Sequence, residues 1–519
     1  MVSGKRVLFY RPPPKVHVSP FPQRTVPLGL MTMAAFVRSR GGHDVRIVDS
    51  FEGHTIDDLA RIALEWSADI VAISGLTAHA YDAMVAAHRV KEARPETLVV
   101  VGGIHFSAVP LETLMVCPHI DVVVLGEGEL TLAELCDVFT KGSNWRDVLA
   151  SVAGLAWLDE EELVTTQPRE VISDLGVLPM PAFDLVDPNR YGMRPFRYGD
   201  RMMIEGSRGC PFSCTFCHTT QFWKRRWRPR PVEAMLEDMS YVSSRMGRTA
   251  FHFADDSWGT RRERVIEFCE GVLSRGMKVD LWAQCRVDDL YRDRDLFPLM
   301  REAGFYGFLI GFESGSEDNL ARWNKGTTAE KARALAPELN ANFDSITGTF
   351  FIGDWDTTEA DFHATRRFAE EVGVDIFIES TLTLFPPTVP MWKEYEAKGV
   401  EMEWDYDAIG NSKVILPTHS LTTKEVSKLQ GQNMGGFYAD PAKFLNALRS
   451  GRHAARSYSG FIVSGLEDAA RGWVRPYVPN GIRGMNHALR AEYKAKHLAL
   501  ARARGMVKMD QPWAKLKVV

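Results

Sequence analysis

Three cysteines lie close together in the sequence, at a spacing that suits an inorganic centre. Cys210, Cys214 and Cys217 form the pattern C-x3-C-x2-C on a segment that also contains glycine and proline. Three thiolates on one short loop can bind a single cubic four-iron cluster, and three cysteine ligands leave the fourth iron open to a ligand from outside the protein. The spacing therefore predicts a 4Fe-4S cluster at these three cysteines.

A zinc site is the competing interpretation, because a closed zinc site takes four ligands and His218 could be the fourth. His218 directly follows Cys217, however, and two adjacent residues converge poorly on one tetrahedral ion. The remaining cysteines stand singly, form no second short motif and are interpreted as buried thiols. They are Cys117, Cys136, Cys269 and Cys285.

Composition and length place the chain among ordinary globular proteins. It has 519 residues, of which 45% are hydrophobic and 25% charged, and its length suggests about three folding units. No apolar run reaches the roughly 18 residues of a membrane-spanning helix, and no secretory signal is predicted. The net charge of −5 argues against nucleic acid as the main partner. Seven cysteines do not suggest a disulfide framework, and an oxygen-sensitive cluster indicates a reducing cytoplasm.

Residues 5–140 alternate between short apolar runs and helical patterns. The runs are rich in Val and Ile and mostly unbroken, as expected of strands that are buried on both faces. Five such units predict a doubly wound parallel sheet, in which a ligand binds at the carboxyl ends of the strands. The five runs are 6–10, 45–48, 70–74, 98–101 and 122–125.

Residues 199–390 repeat the alternation with six apolar runs separated by helical stretches. Six strands of this kind predict a (β/α)6 barrel or part of one, with its site at the carboxyl ends of the strands. The cysteine segment directly follows the first of these strands. The six runs are 202–206, 250–254, 279–284, 307–312, 348–352 and 376–384.

Two further regions have a different character. Residues 141–198 contain a strand pattern, an acidic run and a proline-rich stretch, and we interpret them as a linker with a small hairpin. Residues 391–519 are predicted to be helical. From residue 441 onward they contain 15 Lys and Arg against 4 Asp and Glu, so this tail is basic and the rest of the chain is acidic.

With Phe216 before its last cysteine and a six-stranded barrel around it, the cysteine motif resembles that of the radical S-adenosylmethionine superfamily. The resemblance implies that the fourth iron binds the methionyl amine and carboxylate of S-adenosylmethionine, and that Phe216 contributes to this site. One electron then cleaves the sulfonium, and the resulting 5′-deoxyadenosyl radical abstracts hydrogen from an unreactive C–H bond. The cofactors supply this chemistry, and the protein supplies placement and shielding.

Polar residues at the ends of the next three barrel strands are similar to the family's cofactor contacts. Asp255 and Asp256 follow the second strand, where the family contacts the methionyl amine. Arg286 follows the third and could pair with a carboxylate. Glu313 and Ser314 end the fourth strand in a G-x-E-S-like segment that the family places near the ribose. Each residue taken alone could instead be an ordinary polar loop residue.

The first domain resembles the flavodoxin-like, cobalamin-binding domain of B12-dependent radical S-adenosylmethionine enzymes, of the class B methyltransferase type. The resemblance implies domains at 1–140 for cobalamin, 199–390 for the radical barrel and 391–519 for a basic helical region, with the linker at 141–198. A domain that has kept the fold and lost cobalamin is the alternative. The expected cobalamin contacts are Leu76, Thr77, His79, Gly102, Gly103, His105, Gly126, Glu127, Gly128 and Glu129.

The chain departs from many B12 proteins in one respect. Residues 1–140 contain no D-x-H-x-x-G motif, which would place a histidine on cobalt. The resemblance therefore implies cobalamin bound without a histidine ligand. His79 and His105 are expected to pack on the corrin or to hydrogen-bond its amides.

The resemblance implies a C-methyltransferase that acts on an unactivated carbon through the 5′-deoxyadenosyl radical and methylcobalamin. A radical cyclase or ring-rearranging enzyme without methyl transfer is the alternative, and a non-catalytic cobalamin or cluster sensor is a remote third. Distant similarity to hopanoid methylases favours a lipid or other hydrophobic substrate. Natural-product scaffolds and tetrapyrroles stay open, the latter in line with distant similarity to the anaerobic Mg-protoporphyrin ester cyclase. An external flavodoxin- or ferredoxin-like reductant is implied, and the residues do not identify a general base.

The basic tail and a second basic stretch raise the question of further partners. The tail contains Trp473, Tyr477 and Trp513, a composition that suits peripheral contact with an anionic membrane. A helical tail that packs against the acidic remainder of the chain is the favoured interpretation. The stretch at residues 222–228 is basic and aromatic, as in proteins that bind single-stranded nucleic acid, but structural support beside the cluster is the favoured interpretation.

Overall fold

The computed structural model describes residues 4–13, 25–140, 145–191, 201–383, 389–400, 405–408, 414–439, 485–503 and 517–518. Within these residues, two α/β units built on parallel strands are joined by a linker and packed against a C-terminal region that is largely helical. The predicted fold class is confirmed.

The first unit is a doubly wound sheet. Its first five strands are all parallel and lie in the order β2-β1-β3-β4-β5, so the direction of winding reverses between β1 and β3. Carboxyl ends of strands next to such a reversal are the usual ligand site of this fold. The strands are β1 (Arg6–Arg11), β2 (Asp44–Asp49), β3 (Ile70–Ser74), β4 (Leu98–Gly102) and β5 (Val122–Val124). The helices are α1 (Leu28–Ser39), α2 (Ile56–Glu65), α3 (Ala80–Ala93), α4 (Ile104–Ala108), α5 (Pro110–Val116), α6 (Gly128–Val138) and α7 (Trp145–Leu149).

Both faces of this sheet are covered, which explains the unbroken apolar runs. In β1, Val7 and Phe9 belong to the core beneath α1 and α6, whereas Leu8 and Tyr10 belong to the core beneath α2 and α3. Successive side chains of a strand point to opposite faces, so all four positions must be apolar.

The predicted hairpin exists and extends the first sheet. Its strands β6 (Leu155–Asp159) and β7 (Glu162–Thr165) pair with each other in antiparallel fashion, and β6 also pairs antiparallel with β5. The linker therefore contributes structure to the first unit as well as connecting it to the second.

The second unit is a six-stranded parallel sheet in the order β8-β11-β12-β13-β14-β15, with helices between successive strands. Since β8 and β15 are its two edges, the barrel is partial. Its strands are β8 (Met202–Ile204), β11 (Ala250–Phe253), β12 (Asp280–Arg286), β13 (Phe305–Glu313), β14 (Ser345–Ile352) and β15 (Ile376–Thr381). The short strands β9 (Ser207–Arg208) and β10 (Arg228–Pro229) pair beside the barrel. The helices are α8 (His218–Phe222), α9 (Val232–Met246), α10 (Arg262–Ser274), α11 (Val287–Arg292), α12 (Phe297–Glu302), α13 (Glu317–Arg322), α14 (Ala329–Asn342) and α15 (Glu359–Glu371).

The interior of the barrel is open. In β13 the outward residues Phe308, Ile310 and Phe312 are buried in the core beneath the helices, whereas Leu309, which points inward between them, keeps partial exposure. The same alternation continues along β15, where Phe377 is buried and its neighbours are half-buried. Inward residues that retain exposure border an accessible lumen.

The C-terminal region packs on both units. Its described helices are α16 (Pro390–Ala397), α17 (Thr423–Tyr438) and α18 (Met485–Ala503). α17 packs on α15 and β15 of the barrel, whereas α18 packs on α3 and α5 of the first unit. A final strand, β16 (Lys517–Val518), pairs in parallel with β7. None of the described helices has the length and apolar character needed to cross a membrane. Trp473, Tyr477 and Trp513 lie outside the described residues.

Two continuous apolar cores connect these parts. One contains Phe9 of the first unit, Phe183 of the linker and Phe253 of the barrel. The other contains Tyr81 of the first unit and Tyr406 of the C-terminal region, together with Phe351 at the end of β14. The packing therefore continues across the boundaries between the units.

Candidate active site

The cysteine segment leaves the barrel at the carboxyl end of β8 and is held by the segment that follows α13. The backbone N–H of Thr215 donates to the carbonyl oxygen of Trp323 at 3.0 Å, and Asn324 Nδ2 donates to Ser213 Oγ at 2.7 Å. Cys210 and Cys214 are buried and Cys217 is half-buried. Burial raises the pKa of Cys210 to about 11, so iron binding must displace the proton of this thiol.

Arg286 lies against this segment. Its guanidinium is 3.6 Å from the ring centroid of Phe212, Nη1 is 3.7 Å from Cys214 Sγ, and Nη2 donates to the carbonyl of Lys325. The side chain is buried and its Nε has no hydrogen-bond partner. A buried guanidinium with an unused N–H beside the cysteines fits the predicted contact with a carboxylate.

The two predicted acidic contacts have different surroundings. Asp255 is fully buried and accepts hydrogen bonds from the backbone N–H of Gly206 at 2.7 Å and from Ser207 Oγ at 2.5 Å. Burial raises its pKa to about 6, and its contacts fix the entry to the cysteine segment. Asp256, the next residue in the sequence, is exposed. Asp256 is thus the better placed of the two to meet an amine.

Glu313 and Ser314 end β13 in an unusual conformation. Glu313 has φ of 63°, and its Oε1 accepts from Lys325 Nζ at 2.7 Å in a buried ion pair. A Cβ at Gly311 would come within 2.6 Å of that carboxylate oxygen, so glycine makes room for the pair. Ser314 is buried, and its Oγ accepts from the backbone of Ser316 at 3.1 Å. A positive φ outside glycine is often found at functional sites.

Phe216 is fixed by aromatic residues from the ends of β14 and α13. Its ring stacks on Phe351 with centroids 4.6 Å apart and meets Trp323 edge-on at 6.2 Å. Trp323 Nε1 in turn donates to Asp354 at 2.8 Å. These residues shield one side of the cysteine segment from water.

A cavity of about 240 Å³ lies at the carboxyl ends of β3, β4 and β5, where the cobalamin site is predicted. Glycine allows close packing of the backbone in its wall. A Cβ at Gly103, whose φ is 99°, would approach Ser74 Oγ to 3.2 Å. Its floor is largely apolar, as a large planar or aromatic ligand requires. The predicted contacts on its wall are Gly102, Gly103, Gly126, Glu127, Gly128 and Glu129, and its apolar residues include Leu30, Met33, Ile73, Val100 and Leu132.

The other predicted cobalamin contacts lie in the loop after β3 and on α4. His79 Nδ1 accepts from the backbone N–H of Leu76 at 2.9 Å, and His105 Nδ1 is 3.1 Å from Thr77 Oγ1. Burial lowers the pKa of His79 to about 4 and that of His105 to about 3, so both rings are neutral. His105 Nε2 is buried without a partner, and Leu76 is 59% exposed. An unused imidazole nitrogen and an exposed apolar side chain fit a bound corrin with polar amides.

Glu127 and Glu129 are bonded to arginines of the barrel. Arg208 Nη1 lies 2.8 Å from Glu127, its Nη2 lies 2.7 Å from Glu129, and its Nε lies 2.7 Å from Glu205. Arg228 reaches Glu127 at 2.8 Å. Burial opposes ionisation, but the two guanidinium groups hold the pKa of Glu127 below its usual value. We call these five buried or half-buried residues the Arg208 network.

The structure thus brings the predicted S-adenosylmethionine residues to one end of the barrel and most of the predicted cobalamin residues to one cavity. Their roles as cofactor contacts stay predictions. Sequence reasoning missed Lys325, Trp323 and Arg208. The only sequence signal for Arg208 is its position two residues before Cys210.

Two family matches coincide with the two units. Residues 14–136 match the B12 binding domain, and residues 204–369 match the Radical SAM superfamily.

Named relatives cover most of the chain. An uncharacterised methyltransferase of Pyrococcus horikoshii is 29% identical over 452 residues, which are 87% of this chain and 94% of that protein. The anaerobic magnesium-protoporphyrin IX monomethyl ester cyclase of Cereibacter sphaeroides is 30% identical over 424 residues, 80% of this chain and 68% of that protein. The hopanoid C-3 methylase of Methylococcus capsulatus is 26% identical over 475 residues, 88% of this chain and 86% of that protein.

A solved structure has the same fold over nearly the whole chain. The cobalamin-dependent S-adenosylmethionine radical enzyme OxsB, with aqua-cobalamin and S-adenosylmethionine bound, aligns with 99% of this chain and 82% of its own. The TM-score is 0.69 and the identity 18%, so this likeness concerns the fold. The predicted family and cofactors are confirmed. The chain belongs to the cobalamin-dependent branch of the radical S-adenosylmethionine enzymes, with a 4Fe-4S cluster, S-adenosylmethionine and cobalamin as its cofactors.

Proposed function

We propose that the chain is a C-methyltransferase that acts on an unactivated carbon of a small molecule. The observation that carries the proposal is the junction of the two sites. Glu127 and Glu129 on the wall of the cavity are bonded to Arg208, which stands two residues before Cys210. When bound, the cluster with S-adenosylmethionine supplies the 5′-deoxyadenosyl radical, and methylcobalamin supplies the methyl group. The methyltransferase and methylase relatives support the proposal.

The chain's own residues would bind, orient and shield. Cys210, Cys214 and Cys217 would hold the cluster on a loop tied to the end of the barrel. Arg286 would pair with the carboxylate of S-adenosylmethionine through its unused Nε, and Asp256 would accept from its amine. Desolvation strengthens the charge-assisted contact of the buried Arg286, because few water molecules compete for it.

The lining of the barrel supports an uncharged, largely apolar substrate. By strand alternation, the residues that point into the lumen include the apolar Met203, Trp282, Leu309 and Ile378 and the uncharged polar residues Gln284, Thr349 and Ser380. Apolar lining with few charges selects apolar ligands, since a charged substrate would lose its hydration there. The hopanoid methylase among the relatives agrees with this choice.

Transfer of label tests the proposed reaction. Anaerobically purified protein, loaded with iron, sulfide and cobalamin, is given a low-potential reductant, S-adenosylmethionine with a deuterated methyl group, and candidate apolar substrates. We expect a product heavier by one labelled methyl group, together with 5′-deoxyadenosine. The variant with Cys210, Cys214 and Cys217 all changed to alanine should form neither. Turnover of substrate without label in the product would overturn methyl transfer.

A radical cyclase without methyl transfer is the second candidate, favoured by the similarity to the Cereibacter sphaeroides cyclase at 30% identity. The same assay separates the two reactions. The product of ring closure gains no methyl group and contains no deuterium from S-adenosylmethionine.

The electron for radical formation must come from outside the described residues, and we propose a flavodoxin- or ferredoxin-like reductant in a reducing cytoplasm. For the basic C-terminal region, the contacts of α18 support packing on the body of the protein. Arg490 bonds Asp82 and Asp407, and Lys494 bonds Asp405 at 2.5 Å. Peripheral membrane contact remains the alternative. It would show as sedimentation with phosphatidylserine vesicles that salt reverses.

A further inference from the structure

The cavity in the first unit is completed by the barrel. Most of its lining comes from the ends of β3, β4 and β5 and from α1 and α6, but four residues come from the segment that carries the cysteines. These are Glu205, Arg208, Phe222 and Trp223. The shape of the cavity therefore depends on how that segment is folded.

Trp223 connects the cavity wall to the start of the cysteine motif. The guanidinium of Arg228, which also bonds Glu127, lies 5.2 Å from the ring centroid of Trp223. Trp223 also packs on Gly209, where an added Cβ would come within 2.9 Å of Trp223 Cβ. Gly209 has φ of 84° and immediately precedes Cys210, so a shift of Trp223 and a shift of the cysteine segment are linked.

Arg208 provides a second connection. It is 7% exposed and bonds three carboxylates, two from the first unit and one from the barrel. Removal of a buried partner leaves charges without compensation and is strongly destabilising, whereas an exposed ion pair contributes little. The Arg208 network can therefore transmit a rearrangement on one side to the other.

We propose that Arg208 and Trp223 are positioning residues that couple the cobalamin cavity to the cluster segment. A segment organised by its cluster completes the cavity wall and raises the affinity for cobalamin. Binding free energies are reciprocal, so bound cobalamin must raise the affinity of the protein for the cluster by the same factor. The proposal rests on the presence of the two cofactors and not on methyl transfer. The coupling can therefore fail while the proposed reaction stands, and the reaction can fail while the coupling stands.

The test compares the affinity for hydroxocobalamin in full-length protein with and without its cluster, by equilibrium dialysis under anaerobic conditions. In the unmodified protein we expect the cluster to lower the Kd about tenfold, within the usual range of coupling between sites. In Arg208→Gln the ratio of the two Kd values should fall to about one, and in Trp223→Leu it should fall in the same direction. Arg208→Lys, which keeps the charge, should retain part of the ratio.

The matched control is Arg169→Gln. Arg169 also bonds a glutamate, Glu134, but both residues belong to the first unit and its hairpin extension, so the wild-type ratio should persist. A ratio of one in the unmodified protein, or an unchanged ratio in both Arg208→Gln and Trp223→Leu, would overturn the proposal.

A second measurement covers variants that fold poorly without a cluster. Iron release from the holoenzyme is followed as formation of the complex between iron and a chelator, with and without cobalamin. We expect cobalamin to slow release in the unmodified protein and in Arg169→Gln, and to have no effect in Arg208→Gln. Equal protection by cobalamin in all three proteins would contradict the coupling.

Discussion

Arg286 shows how one side chain can serve both the scaffold and the cofactor. Two of its nitrogens are occupied, by Cys214 Sγ and by the carbonyl of Lys325, and its plane rests on Phe212. The third, Nε, is buried and unused. The scaffold contacts fix the guanidinium, so the free N–H is oriented before a ligand arrives.

Arg286→Lys should therefore weaken S-adenosylmethionine binding while leaving the cluster in place. Lysine keeps the charge but loses the planar fork, and loss of a charge-assisted contact corresponds to roughly a 10- to 100-fold increase in Kd. The measurement is equilibrium binding to cluster-loaded protein, with iron content determined in parallel. Arg262→Lys, which alters an arginine paired with Asp295 on the surface, is the control. An unchanged Kd in Arg286→Lys would show that the carboxylate binds elsewhere.

At the scale of elements, α17 meets β15 through a buried carboxyl group. Glu379 is 3% exposed, its Oε1 accepts from Asn433 at 2.6 Å, and its Oε2 has no partner. Burial raises its pKa to about 8, with smaller opposing effects of Asn433 and Arg366. The surroundings therefore favour the neutral, protonated form of Glu379.

This contact should make the fold sensitive to alkaline pH. The folded-state pKa lies above the ordinary one, so the stabilisation is complete below about pH 4.5 and is lost as pH rises through about 8. Glu379→Gln stays neutral, so its thermal midpoint should rise relative to that of the wild type as the pH increases from 5 to 9. The difference is on the order of 4 kcal/mol at about 1.4 kcal/mol per pKa unit. Glu371→Gln, at an exposed site on α15, should show no such trend, and parallel curves for Glu379→Gln and wild type would refute the assignment.

At the scale of the whole molecule, the C-terminal helix α18 belongs with the first unit. Arg490 is 4% exposed and bonds Asp82 of α3 as well as Asp407. Nearby, Tyr406 stacks on His497 of α18 and lies edge-on to His105. The helix therefore supports the loops on which the cobalamin site is predicted.

Arg490→Gln should loosen α18 from α3. Breaking a buried ion pair by removal of one partner costs about 3–5 kcal/mol, because the remaining carboxylates stay buried. Hydrogen exchange should increase in residues 485–503 and in α3, and much less in the barrel. Lys496→Gln, which removes an exposed pair with Glu492, should change the exchange little. Equal exchange in the two variants would mean that the helix is held by apolar contacts alone.

The elements were predictable from the sequence because buried strands carry their own signal. The run at 70–74 is the strand Ile70–Ser74, and the run at 250–254 differs from Ala250–Phe253 by one residue. Which elements pair or pack with one another was harder to predict. The hairpin was expected, but its addition to β5 depends on packing that no local pattern records.

The site was predictable where chemistry depends on spacing, as for Cys210, Cys214 and Cys217. The site was less predictable where the chemistry depends on residues that are close in space but distant in sequence. Glu127 and Glu129 were assigned by their position at a strand end, yet each faces a guanidinium that lies some 80 residues further along the chain. Long-range pairs of this kind leave no periodic or local trace in one sequence.

The two apolar cores that run across the unit boundaries have a consequence for protein engineering. A chimaera that joins the first unit of this chain to the barrel of a relative would cut through both cores, at residues such as Phe183 and Tyr406. Such a graft must carry its interfacial side chains with it. The units can be recognised separately in the sequence, but in the folded protein they share their apolar cores.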